Sequence, residues 1–246
     1  MTSPLFIQQE NIVMQSRKFR TFIWAAMLGL LVLVPGVQAE QQSQAISARF
    51  ESSVINLGHR PQRNTWEWSM LRDATRVETR DGDGATGELW QRHPQGMFSY
   101  HRLFHGEKRS IDYGDGDLRS LHRYPEWEVL STVVDMKELR KVLKKTGEQE
   151  VLGRGASRYQ GQVNGVDIEV LWLERERLPA LVRQSYSDRV VTLQLKAVWP
   201  VTDAPWLPTA LRDYDRMDYA DIGDNEADKL VQGILHESGS HQGHQH

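Results

Sequence analysis

Short segments in which apolar and polar residues alternate recur between residues 66 and 199, and this pattern constrains the fold most. Trp66, Trp68 and Met70 share one parity, which places them on the same face of a strand. Turn residues separate the segments, and Asn164-Gly165 is the strongest of these hairpin signals. Helical segments do not alternate with the strands, so the pattern predicts a mainly β (α+β) fold with an antiparallel sheet.

The alternation predicts about nine to eleven strands. Residues 44–57 begin polar and then alternate, which fits either a strand or a short helix that runs into one. The clearer strands cover Trp66 to Met70, Thr75 to Thr79, Glu88 to Arg92, Met97 to Phe104, Lys108 to Tyr113, Arg158 to Gln162, Val166 to Leu173, Ala180 to Ser187 and Val190 to Trp199, and Arg212 to Tyr219 is predicted as a last edge strand.

Two segments show helical spacing instead. Apolar residues recur every three or four positions from Trp127 to Lys145, and Asp135 followed by Glu138 resembles a capping box that restarts the helix. Gly147 is predicted to end this mid-chain helix. A C-terminal helix is predicted from its cap Asp224 through Leu235.

The amino terminus has the three parts of a secretory signal. A basic cluster of Arg17, Lys18 and Arg20 precedes the apolar run 22–34, and the small-residue site 37–39 follows. We expect cleavage after Ala39 and a periplasmic mature protein. The apolar run is shorter than the roughly twenty residues that span a bilayer, so a retained transmembrane anchor is the weaker alternative. Translation from Met14 would also give a signal of ordinary length.

Composition restricts the mature chain further. There is no cysteine, which excludes disulfides, thiolate metal sites and a lipidated N-terminal cysteine. Without residues 1–39 the chain has 27 basic and 32 acidic residues, a net charge of −5, with no sustained basic block. Nucleic acid is therefore not an expected partner. We predict one β domain over residues 40–237 and a disordered tail over 238–246.

The tail contains the candidate metal ligands. Neutral imidazoles spaced along a flexible segment can surround one copper or zinc ion without a preformed cage. The alternative is a solvated polar tail that binds metal weakly. The candidate ligands are His236, His241, His244 and His246.

Tryptophan is the other unusual feature, with seven residues after the signal. Several fall on predicted strands, where they either pack in the core or line an apolar cavity between the sheet and the helices. The candidate ligand-binding residues are Trp66, Trp68, Trp90, Trp172 and Trp199.

Other patterns of reactive residues fit local structure better than chemistry. His101 and His105 lie on a predicted strand, where four residues separate them by about 13 Å, too far for one ion. The aspartates at 112, 115 and 117 lack the remaining ligands of a calcium loop, so turn chemistry explains them. No nucleophile elbow, phosphate loop or dinucleotide motif is present. An enzyme that uses dispersed acids and histidines therefore has no support from motifs.

The stretch from Val170 to Arg183, followed by residues 190–198, resembles the periplasmic lipoprotein-carrier superfamily of LolA and LolB. In that superfamily, too, a strand containing Trp leads through a Leu-Pro turn, here Leu178-Pro179, into the next strand. The resemblance implies a curved antiparallel sheet or half-barrel with helices as a lid. No position here matches the carrier's functional arginine, and the segment 213–237 with its histidine tail departs from the family pattern.

Two functions follow as hypotheses. The first is a non-enzymatic binding protein that holds an apolar ligand, such as a lipid or the acyl chain of a lipidated protein, in a concave sheet. The second is a periplasmic accessory protein for metal handling, in which the histidine tail binds copper or zinc and the β domain docks on an envelope protein.

Overall fold

The alternating segments form one open sheet of twelve strands. The computed structural model describes residues 45–58 and 60–225, together with Asp228 and Gln232, and all of these belong to one compact unit. The strands are β1 (Ile46–Asn56), β2 (Gln62–Arg72), β3 (Arg76–Asp81), β4 (Thr86–Arg92), β5 (Phe98–Phe104), β6 (Arg109–Tyr113), β7 (Lys144–Val151), β8 (Arg154–Val163), β9 (Val166–Leu173), β10 (Leu178–Ser185), β11 (Arg189–Pro200) and β12 (Asp215–Asp218).

The strand order joins two meanders through the first strand. Across the sheet the order is β12-β6-β5-β4-β3-β2-β1-β11-β10-β9-β8-β7. Neighbours pair antiparallel except β12, which runs parallel to β6. The prediction of nine to eleven antiparallel strands was therefore wrong in number and in this one pair. The extra strand, β7, is almost entirely exposed and polar, so it shows no alternation.

The helices are shorter than predicted. They are α1 (Asp115–Ser120), α2 (Trp127–Thr132) and α3 (Met136–Val142). The Asp135 side chain accepts a hydrogen bond from the Glu138 amide at 2.9 Å, so the predicted restart of the helix is confirmed. The predicted helix end at Gly147 was wrong, because α3 ends at Val142 and Gly147 lies in β7.

Several predictions concern residues outside this description. The signal segment 1–39 lies outside the described residues, as does most of the predicted C-terminal helix. Its predicted cap, Asp224, lies in the 3-10 turn Tyr219–Asn225. Beyond that turn, the Gln232 amide donates to the Asp228 carbonyl at 2.9 Å.

The two faces of the sheet have different covers. The three helices lie on one face of the sheet, which we call the helix face. Phe50 and Trp68 are register partners on this face, and their rings stack with 4.6 Å between centroids. On the opposite face residues 201–214, the strap, run from the end of β11 to β12. Both faces bury apolar side chains, for example Met70 on the helix face and Leu89 on the strap face, each at most 1 % exposed. The sheet is therefore covered on both sides.

Candidate functional site

Helices α2 and α3 cross the helix face of the sheet. The Trp127 ring, at the start of α2, stacks on Phe98 of β5 with 5.9 Å between centroids. After α3, Leu143 lies so close to β8 that a Cβ on Gly161 would approach the Leu143 Cα to 3.4 Å. The buried side chains of this cover face the sheet: Val129, Leu130, Val133, Val134, Met136, Leu139 and Leu143.

A buried arginine fastens the middle of this cover. Arg72, at the end of β2, is 1 % exposed. Its guanidinium donates to the carbonyls of Ser131 in α2 and Glu176, and to the Arg177 carbonyl at 3.1 Å. Burial, together with the charge of Arg177, lowers the pKa of Arg72 to about 10, so the side chain remains a cation at neutral pH. Arg72 thus joins the sheet, the end of α2 and the β9–β10 turn.

Ion pairs at the surface add weaker tethers. Arg140 of α3 donates to both carboxylate oxygens of Glu174 at 2.7 Å, and Arg177 pairs with Glu128 of α2. These side chains are between about one third and one half exposed. Exposed pairs of this kind contribute about 0–1 kcal/mol each. The two helices are therefore held mainly by Arg72 and by their apolar contacts.

The junction between α2 and α3 has an unfavourable backbone conformation. Val133 caps α2 with φ +70° and ψ −28°, in the left-handed region that β-branched residues rarely adopt. Such a conformation costs about 1–3 kcal/mol. The buried side chain of Val133 and the packing around it must offset this cost.

The structure divides the five candidate tryptophans. Register places Trp66, Trp68, Trp90 and Trp172 on the helix face, and Trp199 on the strap face. The first group is not equally buried, because Trp68, Trp90 and Trp172 are core residues and Trp66 is half-buried. Two of the clefts on the described part of the molecule have no tryptophan in their walls. A ligand-binding role for these residues stays a prediction.

Sequence reasoning missed the charged centre of the strap face. Glu78 of β3 is fully buried, and its carboxylate accepts from the Thr209 amide at 2.9 Å and the Thr209 hydroxyl at 2.5 Å. Arg76 and Arg80 flank it on the same face, and both pair with it. The signal was present in the alternation Arg76-Val77-Glu78-Thr79-Arg80, which puts three charges on one face of a strand.

His101 of β5 and His105, which follows the strand, make separate contacts on the strap face. His101 Nδ1 lies 2.7 Å from Asp112 Oδ1, and His105 Nδ1 lies 2.6 Å from the Tyr214 hydroxyl. Burial and the charge of Arg80 lower the pKa of His105, which favours its neutral form. The structural role predicted for both histidines fits these contacts.

The Asp112 contacts predict a pH dependence of folding. Burial alone would raise the pKa of Asp112, but bonds from His101, Ser110 and Arg216 outweigh it and lower the pKa below 3.8. The stabilisation is present above the unfolded value and is lost as pH falls through the folded value. In urea titrations, Asp112→Asn should therefore lose less unfolding free energy than the wild type between pH 6 and pH 3. Asp188→Asn, at an exposed turn, should behave like the wild type.

The described residues hold no group of three or more metal-ligating side chains. The candidate metal ligands His236, His241, His244 and His246 lie outside the described residues. Copper or zinc binding by the tail therefore stays a prediction. Within the same described part, no helix is long and apolar enough to cross a membrane.

No protein-family model matches the chain, and no curated protein does. Solved structures do. PNGF-II aligns at 11 % identity and a TM-score of 0.38 over 74 % of this chain and 33 % of its own. MucB in the Pseudomonas aeruginosa MucA/MucB complex aligns at 13 % identity and a TM-score of 0.35, over 70 % of this chain and 56 % of its own. This chain thus spans about a third of the first protein and just over half of the second.

A LolA superfamily protein from Nitrosomonas europaea aligns at 8 % identity and a TM-score of 0.23, over 68 % of this chain and 88 % of its own. The solved structures that are similar to this chain thus include members of the LolA superfamily, which the sequence resembles. All these TM-scores are below 0.5, too low to indicate a function for this chain.

Proposed function

We propose that this chain is an exported, non-enzymatic binding protein whose helix face receives an apolar ligand, such as a lipid or the acyl chain of a lipidated protein. The proposal rests on the observation that α2 and α3 cover this face of the sheet. This cover lies across an aromatic and aliphatic sheet face and is fastened by one buried arginine and a few exposed ion pairs.

The covered face has the chemistry that such a ligand requires. Trp68, Trp90 and Trp172 present large apolar surfaces, and apolar side chains of α2 and α3 close over the sheet. In the described conformation these side chains are buried against one another, so an acyl chain would enter as the helices move away. The ligand would then replace the contacts that the helices lose, at about 25 cal/mol per Å² of apolar surface buried.

A reversible cross-link tests this requirement for movement. The chain has no cysteine, so the double substitution Leu143→Cys with Gly161→Cys introduces one defined pair between the C-terminal end of α3 and β8, beside the register pair of Lys144 and Gln160. A Cβ on Gly161 would lie 3.4 Å from the Leu143 Cα and 3.0 Å from the Val142 carbonyl oxygen, so the backbone must shift by a few tenths of an ångström to hold the disulfide. Binding of a fluorescent palmitoylated peptide should fall at least about tenfold on oxidation, and return on reduction.

The control is a disulfide that leaves the helices free. Gln162→Cys with Asp167→Cys joins two exposed register partners of the β8–β9 hairpin, and its oxidation should leave binding unchanged. Equal binding by the oxidised and reduced forms of the Leu143–Gly161 pair would contradict entry beneath the C-terminal end of α3. A wild-type protein that fails to bind the palmitoylated peptide would refute the proposed function itself.

A further inference from the structure

The strap leaves a cleft between itself and the sheet. It is anchored near its middle, where Thr209 bonds to Glu78, and near its end, where Tyr214 bonds to His105. Between these anchors the chain makes a 3-10 turn, Leu211–Asp213. The cleft beside this turn has a volume of about 400 Å³. Its walls are Arg76, Leu89 and Gln91 from the sheet and residues 208–212 from the strap.

The charges around this cleft do not balance. Arg76 and Arg80 share the single carboxylate of Glu78, so the buried trio has a net charge of +1. Arg212 adds a second cation to the lining, and no lining residue is acidic. Its pair with Asp213, at 3.7 Å, joins two exposed side chains and is weak. A partly buried excess of positive charge favours an anion from outside.

One donor in the wall lacks a partner. Arg76 donates through Nη2 to Glu78 and, at 2.7 Å, to the Thr209 carbonyl, but its Nε is buried and has no hydrogen-bond partner. A buried unpaired N–H is costly, and a charged acceptor is its strongest partner. Because this atom is closed to a water-sized probe, a carboxylate in the cleft would reach it only as the Arg76 side chain or the strap shifts. The Gln91 side chain, also in the wall, can donate beside it.

We propose that this cleft binds a small carboxylic acid with a short aliphatic body. Arg76 and Arg212 would hold the carboxylate, and Leu89, Pro208 and Leu211 would contact the aliphatic part. The cleft is wide open to solvent, so it would cover one side of a small ligand and not enclose it. This site lies on the opposite face from the proposed acyl site and does not depend on it.

Hexanoate is the test ligand, and the Arg76 Nε–H resonance in a ¹H–¹⁵N spectrum is the direct readout. It is assigned by its loss in Arg76→Lys. Hexanoate should shift this resonance with a dissociation constant of about 1 mM, as expected of so small a ligand. Hexylamine, whose aliphatic body is one methylene longer but whose charge is positive, should not shift it. Acetate, which lacks that body, should bind at least about tenfold more weakly.

Two substitutions test the cleft without removing the anchors of the strap. Ala210→Phe fills the cleft and should abolish the hexanoate shift. Arg212→Gln should weaken binding about fivefold, whereas Arg175→Gln, at an exposed arginine in the β9–β10 turn, should leave it unchanged. The proposal is overturned if hexanoate causes no shift up to about 50 mM, if hexylamine causes the same shift, or if Ala210→Phe still binds.

Discussion

In Arg72→Met, helix α2 should exchange its amide protons about thirtyfold faster than in the wild type. The methionine keeps the apolar stem but leaves the carbonyls of Ser131, Glu176 and Arg177 without their buried donor. Removing a buried charge offsets part of this cost. We expect a net loss of about 2 kcal/mol in the free energy of unfolding, and each 1.4 kcal/mol is a factor of about ten.

Hydrogen exchange measured by mass spectrometry on peptides covering residues 127–143 locates the effect. The matched control is Arg183→Met, which replaces an exposed arginine in the same sheet. In Arg183→Met, the amide hydrogen exchange of every peptide should match that of the wild type. If the α2 peptides of Arg72→Met kept wild-type protection, Arg72 would not fasten the cover, and apolar packing alone would hold it.

Glu78→Ala should be the most destabilising single substitution on the strap face, with a loss of about 4 kcal/mol in unfolding free energy. It removes the only carboxylate between Arg76 and Arg80 and the acceptor of the Thr209 amide. Two cations would then face each other in a largely buried space, and the strap would lose its central anchor. Urea denaturation monitored by tryptophan fluorescence measures the loss.

Two further variants separate the buried charge from the strap contact. Thr209→Ala removes the hydroxyl bond to Glu78 and the bond that this hydroxyl accepts from Arg80 at 3.0 Å, and it should cost about 1 kcal/mol. Glu67→Ala, an exposed glutamate on β2, should cost less than about 0.5 kcal/mol. A loss below about 1 kcal/mol in Glu78→Ala would show that the trio contributes little to folding.

Strand positions were the best predicted part of the fold. The alternation of apolar and polar residues carries enough information to locate β3 to β6 and β8 to β11, and Asn164-Gly165 fixes a hairpin. It fails at β7, an edge strand with no buried face. It also cannot reveal that β12 pairs in parallel with β6, because that pairing joins residues about a hundred positions apart.

The helices and the site were less predictable for related reasons. The spacing from Trp127 indicated a helix, but not the left-handed residue Val133 that divides it. The segment of α1 was interpreted as a turn. Glycine and aspartate, here Gly114 and Asp117, are common both at the starts of helices and in turns. Arg72 has no local signal, since its partners come from segments 59 and 105 residues away. Only the sheet brings them together.

The position of β1 in the centre of the sheet has a consequence for the rate of folding. Strands β2 to β6 and β7 to β11 form by local hairpins, but β1 must pair with β11, about 140 residues later in the chain. Such non-local pairing raises contact order and slows folding. A chain whose N-terminus emerges first would present β1 with one edge open until β11 follows. Chaperone protection would matter most during that interval.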